Sequence, residues 1–375
     1  MKTPYIEIDL NKIYHNASRL KKRWEDAGIE VMGITKVDLG EPHIAQTLLD
    51  AGITLLGDSR IEDIIRMKKA RIDATFCLIR TPFLSDVKRV VRYADISFNT
   101  ELSVIEALNK EAIRQQKKHK ILLMVEMGDR REGILPEALF DMIEKILAFP
   151  NIELIGIGAN FACFGGIKPN QEKMNHLSLL AEMIEHQFAI QLSIISGGNS
   201  ANFIWLQEGG HPKRVNNIRL GESIFLGVET LYRHPIEGLY QDAFKIAAEV
   251  IEMKHKPSLP NGEMALNAFG ETPYFEDKGT IPRAILGIGR EDVVIDGLTP
   301  QINVDILGGS SDHMIVDAKQ SGLKVGDTVT FLPNYSALLL AMTSPFMGKK
   351  FMGMSYRRDI GHRVPTETKS IGVNK

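Results

Sequence analysis

Val31-Met-Gly-Ile-Thr-Lys36-Val-Asp38 is an apolar run, about one buried strand long, that ends on a lone lysine. A charge in that position is either held in a wet strand-end loop or kept for chemistry, and the surrounding chain decides which. Upstream, Tyr5–Asp9 reads as a strand leading into a helix with Ile13, Ala17 and Leu20 on one face. Downstream, β-rich apolar runs recur at 54–57, 74–79, 94–98, 121–125, 153–158, 192–195 and 217–220, so the run 30–35 is the first of eight. Amphipathic stretches lie between them. Pro42 suits a first helical position, Gly52 closes that helix, Ser59-Arg-Ile-Glu62 reads as a capping box, and Pro136 opens another helix. Strands alternating with helices imply parallel pairing through crossovers. Eight such units over about 230 residues fit a (β/α)₈ barrel better than an open sheet.

The rhythm changes near Tyr232–Tyr240. Strand-like runs separated by Gly and Pro then follow at 245–251, 281–287, 304–307, 313–317 and 328–331, with a helical stretch only at Tyr335–Thr343. The expected organisation is an α/β chain, with a barrel over residues 1–236 and a mostly β domain over 237–375. The last stretch, Arg357–Lys375, is polar and reads as a frayed tail. The 375 residues have a 44% hydrophobic and 25% charged composition, as a soluble globular protein does. A net charge of −2 leaves no electrostatic footprint for nucleic acid or an anionic membrane. No window resembles a signal peptide or a membrane span, so a cytoplasmic location is expected. The two cysteines, Cys77 and Cys163, build no disulfide framework, and the ten dispersed histidines suggest no metal site.

In a (β/α)₈ barrel the active site lies at the C-terminal strand ends. Lys36 follows the first strand, Glu126 and Gly128-Asp-Arg-Arg131-Glu-Gly133 the fifth, and Asn160-Phe-Ala-Cys163 the sixth. Ser196-Gly-Gly-Asn199-Ser200 ends the seventh, and Arg219-Leu-Gly221-Glu222 the eighth. Loops seven and eight are the usual phosphate site of this fold, and Gly197 and Gly198 let backbone amides approach an anion closely. Alone, such a turn reads equally as a plain tight turn. With a lysine on the same rim, it suggests pyridoxal phosphate anchored at one end by its phosphate and at the other by a lysine imine.

These segments, with Gly57-Asp-Ser-Arg-Ile-Glu62, Tyr240-Gln-Asp-Ala, Asp305–His313 and Asn334-Tyr335, resemble the alanine racemase-like, fold-type III pyridoxal phosphate enzymes. Within that family they are most similar to the ornithine/alanine racemase subfamily. The resemblance implies that Lys36 holds the cofactor and moves a proton on one face of Cα. It implies that Asn160 packs by the ring, that Asn199, Ser200, Gly221 and Tyr335 hold the phosphate, and that Arg131 lies near the phenolic oxygen and substrate carboxylate. Arg219 matches the residue facing the pyridine nitrogen. A guanidinium accepts no proton, so that nitrogen would stay unprotonated, which suits racemisation. The alternative for Arg219 is a structural ion pair with a carboxylate.

The sequence departs from the family pattern in two places. Gly40 stands where the family usually has a tyrosine. Arg290 stands where a partner subunit's tyrosine usually serves the opposite face of Cα, and arginine is a poor proton shuttle. Asp312 and His313 are the substitutes expected for that role, with Cys163 a third choice. The expected activity is amino-acid racemisation, with ornithine the preferred substrate and Glu222, Asp129 or Glu126 as partner for its terminal amine. The expected assembly is a head-to-tail homodimer. A decarboxylase or aldolase of the same fold and a non-catalytic pyridoxal phosphate carrier are the competing readings. The extra β domain argues against the carrier.

Overall fold

The computed structural model describes residues 2–353; the stretch read as a tail, Arg357–Lys375, lies outside them. The chain opens with β1 (Tyr5–Asp9) and the helix Leu10–Glu25. The Asp9 carboxylate caps that helix by accepting the amides of Asn11 and Lys12 at 3.0 and 3.2 Å. Its apolar stripe of Ile13, Ala17, Leu20 and Trp24 is fully buried.

Eight parallel strands then close into a barrel: β2 (Glu30–Ile34), β3 (Leu55–Asp58), β4 (Thr75–Leu78), β5 (Ile96–Asn99), β6 (His119–Met124), β7 (Ile152–Gly158), β8 (Ile194–Asn199) and β9 (Asn217–Leu220). The last strand pairs with the first, placing Met32 opposite Arg219 and Gly33 opposite Leu220. Met32, Leu55, Cys77, Ile96, Phe98, Leu122, Met124 and Ile155 form one buried cluster from β2 through β7. The barrel is thus a packed core whose only opening toward chemistry is at its mouth. Pro42 and Pro136 each occupy the first helical turn, where a missing N–H costs nothing.

The second domain is built from β10 (Phe244–Pro257), β11 (Thr280–Leu286), β12 (Leu298–Pro300), β13 (Asp305–Gly309), β14 (Met314–Asp317), β15 (Thr328–Pro333) and β16 (Gly348–Met352). The sheet runs β12-β15-β10-β11-β14-β13, and a bulge between Val250 and Glu252 bends the long β10. The helix Tyr335–Thr343, capped by Asn334, packs on the turn Lys36–Asp38 at the barrel mouth.

Three details differ from the sequence reading. First, β1 is not part of the barrel unit. It pairs antiparallel with β10 and parallel with β16, so it completes the sheet of the second domain, and a division near residue 236 leaves it on the far side. Second, Ser59 and Glu62 form no capping box. The helix Ile61–Lys69 starts with Arg60 at its N-cap and no side-chain cap, while the Asp58 carboxylate takes the Arg60 amide at 2.9 Å. Third, β12 and β16 are too short or too polar to stand out as strands in the sequence.

Asn16 joins the two domains from the middle of the first helix. Its amide donates to the carbonyls of Ile224 (2.9 Å) and Tyr240 (2.8 Å), and its oxygen accepts the Tyr240 amide at 2.8 Å. No helix among the described residues is long and apolar enough to cross a membrane.

Closeness of β7 to β8 gives a direct test of the barrel packing. A Cβ on Gly156 would stand 2.0 Å from the Ile194 carbonyl oxygen. Gly156→Ala is expected to lower stability by about 3 kcal/mol, because backbone is the obstacle and no side chain can yield. The midpoint of urea unfolding checks it.

Candidate active site

A cavity of about 700 Å³ opens at the C-terminal ends of the barrel strands. Lys36, Arg131, Asn160, Asn199, Ser200, Arg219, Gly221 and Tyr335 all line it, although they come from six separate segments of the sequence. Lys36 opens the 3₁₀ turn directly after β2. Its ammonium lies 5.7 Å from the centroid of the Tyr335 ring, and no carboxylate of the described residues pairs with it.

Arg219 projects from β9 and is 6% exposed. It donates to the Ser196 hydroxyl (2.6 Å), the Ala159 carbonyl (2.7 Å) and the Asn160 side-chain oxygen (3.2 Å). Its guanidinium carbon also stands 5.6 Å from the Phe98 ring centroid. All these partners are neutral, so the alternative of a structural ion pair with a carboxylate does not hold. Burial, and then the charge of nearby Arg131, push its pKa down to about 10, still well above neutrality. A buried cation without a counter-ion is costly unless something electron-rich completes its surroundings. Asn160 adds to this: its oxygen accepts from Asn199 (2.9 Å) and Arg219, while its own N–H₂ is buried with no partner.

The loop after β8 divides its labour. The Asn199 side chain makes its bonds within the protein, donating to Asn160 and the Phe161 carbonyl and accepting the Ala201 amide. It therefore shapes the turn, while Ser200, whose hydroxyl lies 3.0 Å from that of Ser223 and accepts the Ser223 amide at 3.3 Å, lines the cavity beside it. Gly40 explains the missing tyrosine. Its φ is +60°, and a Cβ there would meet the Asp63 carbonyl oxygen at 2.8 Å, so the turn that presents Lys36 admits no side chain.

Arg131 is oriented by Glu132, which accepts from its Nε and Nη2, and its Nη1 points to Cys163 Sγ at 2.8 Å. Of the three acids expected near a substrate amine, two are consumed locally. Asp129 is buried and takes the amides of Cys163 (3.2 Å), Phe164 (3.0 Å) and Ile167 (3.4 Å). Glu126 accepts the amides of Gly128 and Arg130 and lies outside the cavity. Glu222 does line the cavity, paired with Arg233, whose side chain is 60% exposed. Glu132, Glu101 and Arg233 are wall residues that the sequence reading missed. Adjacency to Arg131 was the available signal for Glu132; the loops bearing Glu101 and Arg233 gave none.

Asp312 and His313 do not reach the cavity of their own chain. They sit together on an exposed tip of the second domain, His313 Nδ1 lying 2.7 Å from Asp312 Oδ1, a contact that holds the Asp312 carboxyl below its usual range. Arg290 occupies the neighbouring loop of the same tip, where it pairs with Glu271 at 2.8 Å and stacks on Phe269.

A barrel-mouth cavity with one unpaired lysine and a glycine-rich anion loop defines a class, and comparison with known proteins gives that class a name. Residues 8–228 match the family model described as alanine racemase, N-terminal domain. The chain belongs to that family, a class of amino-acid racemases. It is 40% identical over 353 residues to an ornithine racemase of Acetoanaerobium sticklandii, covering 93% of this chain and 99% of that one. It is also 39% identical to a lysine racemase of Thermotoga maritima, covering 93% and 98% respectively. A crystal structure of the alanine racemase of Bartonella henselae, with covalently bound pyridoxal phosphate, shares the fold at a TM-score of 0.71 and 18% identity, over 94% of this chain and all of that one (100%).

The Asp129 loop anchor is open to test. Asp129→Ala leaves three amides without their acceptor and is expected to cost about 3 kcal/mol. Hydrogen exchange should speed up at the amides of Cys163 and Phe164 while the β7 amides stay protected.

Proposed function

We propose that this racemase works with pyridoxal 5′-phosphate across its barrel mouth and that its substrate is a diamino acid, ornithine first. The observation that carries the cofactor is Arg219, a buried cation with only neutral partners. The orphaned N–H₂ of Asn160 and the unpaired Lys36 support the same fit. When bound, the cofactor supplies an electron-withdrawing ring conjugated to the substrate Cα.

The protein does the rest. Ser200, the Gly221 amide and Tyr335 would hold the phosphate, with Asn199 keeping the turn that carries Ser200. Arg219, which has no lone pair with which to take a proton, would face the ring nitrogen and leave it unprotonated. Arg131, braced by Glu132, would face the phenolic oxygen and the substrate carboxylate. Asn160 gives its free N–H to the same region. Lys36 takes and returns the Cα proton on one face.

Racemisation also needs a proton carrier on the opposite face. Among the described residues of one chain the wall carries Cys163, Tyr335 and the acids Glu101, Glu132 and Glu222, the last two paired with arginines. We assign the role to His313 of the partner subunit, with Asp312 fixing its ring, in a cytoplasmic head-to-tail homodimer. Imidazole is the side chain best suited to passing protons near neutral pH. The distal amine of ornithine meets Glu222, whose present partner Arg233 is exposed enough to swing away. The substrates named for the two relatives support this choice, since both carry a terminal amine.

In deuterated water, the wild-type protein should place solvent deuterium at Cα of both L- and D-ornithine. Lys36→Ala should abolish exchange together with the visible absorbance of the bound cofactor. His313→Ala should keep exchange from one enantiomer while losing racemisation. Carbon dioxide release, or ornithine with no deuterium, overturns the reading. Glu222→Gln should raise KM for ornithine about tenfold while leaving KM for alanine unchanged, as loss of one charge-assisted contact predicts. Equal changes for both substrates remove Glu222 from the amine site.

A further inference from the structure

The motif Gly57-Asp-Ser-Arg-Ile-Glu62 stands out in the sequence, yet the reaction as described gives it no task. Its position under the catalytic lysine suggests one. Thr35, the residue before Lys36, is fully buried, and its hydroxyl donates to Asp58 Oδ2 at 2.7 Å. The Thr35 amide donates to the Gly57 carbonyl at 3.0 Å, and its own carbonyl accepts the amides of Asp38 (3.3 Å) and Gly40 (3.1 Å). Thr35 is thus the foot of the turn that carries Lys36, and Asp58 is what the foot stands on. Asp58 is itself fully buried, with its second oxygen on the Arg60 amide at 2.9 Å, and the buried carboxyl of Asp63, on the helix Ile61–Lys69, is near enough to raise its pKa. Gly40 presses against the Asp63 backbone from the other side of the turn. Turn, strand end and helix are therefore locked through two aspartates.

We propose that Asp58, acting through the Thr35 hydroxyl, is a positioning residue that fixes the direction of the Lys36 side chain toward the substrate Cα. The proposal rests on the reading of Lys36 as the proton carrier. The hydrogen bond fixes Thr35 Oγ1, and through it the backbone from which Lys36 departs. A displacement of about 1 Å at a reacting group is enough to slow a step up to a hundredfold. Two neighbouring carboxyls held away from water resist being charged together. Burial, and then the charge of Asp63, raise Asp58 to about 7, and burial raises Asp63 as well. The other charged groups facing the pair are Arg60, Glu62 and Arg66 on the helix side, Asp38 and Glu41 on the turn, and Lys349 on β16. Arg66 is 3.6 Å from Asp63, and Lys349 acts mainly on Glu41 and then Asp38, so neither directly neutralises Asp58. A group whose pKa is raised on folding adds stability below its ordinary value, and that stability is lost as pH rises through the raised one. The lock is therefore tightest in mild acid and loosens toward pH 7.

The test separates position from mere stability. Thr35→Val keeps the shape and removes the hydroxyl. It is expected to lower kcat about tenfold at nearly unchanged KM, measured per cofactor-loaded site, and to alter the pH dependence of the cofactor's visible absorbance. Thr35→Ser should restore most of kcat. Asp58→Asn, which cannot lose a proton, should flatten the fall in the unfolding midpoint between about pH 4 and pH 7. The positioning role is overturned if Thr35→Val keeps wild-type kcat and absorbance while Lys36→Ala is inactive, or if Asp58→Asn retains the wild-type pH dependence of unfolding. A wild-type protein with neither racemase activity nor cofactor absorbance would instead overturn the functional reading, and the unfolding series would still report on the Asp58–Thr35 link.

Discussion

The hydrogen bonds between β2 and β9, with Met32 opposite Arg219 and Gly33 opposite Leu220, join the first and last strands of the barrel. Every group at the mouth takes its place from them. Lys36 leaves the end of β2, and Arg219 and Gly221 leave β9, so closure converts two ends of a long sequence into neighbours. In an open sheet the same strands would be opposite edges, and no single ligand could touch both. The packed interior beneath then leaves a ligand no route but the rim.

Charge at this rim is distributed unevenly. Arg131 and Arg233 are each answered by a neighbouring carboxylate, Glu132 and Glu222, while Lys36 and Arg219 are not. Both line the cavity, and under the function proposed above they are groups that would meet the cofactor. The same division separates the acids. Asp129 and Glu126 are spent on backbone amides that shape loops, whereas Glu222 keeps a carboxylate on the wall.

The barrel was legible because parallel strands buried on both faces read as short apolar-rich runs, and eight of them recur between helical stretches. Proline at Pro42 and Pro136 marked helix starts for a reason internal to the residue. Long-range partners were not legible. The alternating polarity of Tyr5–Asp9 fits any half-buried sheet, and only the register with β10 and β16 says which. Ser59 and Glu62 have the spacing of a capping box, but Asp58 takes the amide first and the helix starts later than that spacing implies. Whether an acid is free or bound to backbone depends on loop geometry, so Glu126, Asp129 and Glu222 looked alike in sequence. Resemblance to a family supplied the cavity residues together, yet it assigned no role to Thr35 and Asp58 beneath them.

The place of β1 also governs how the molecule is made and joined. Its partners β10 and β16 come from the far end of the chain, so during synthesis it remains an unsatisfied edge after the barrel strands are complete. Contacts of such sequence separation form slowly, which makes docking of this strand a late folding step. The backbone passes between the domains twice, once at Asp9–Leu10 and again between β9 and β10. A single cut between β9 and β10 would therefore sever one of these passages and leave the other intact.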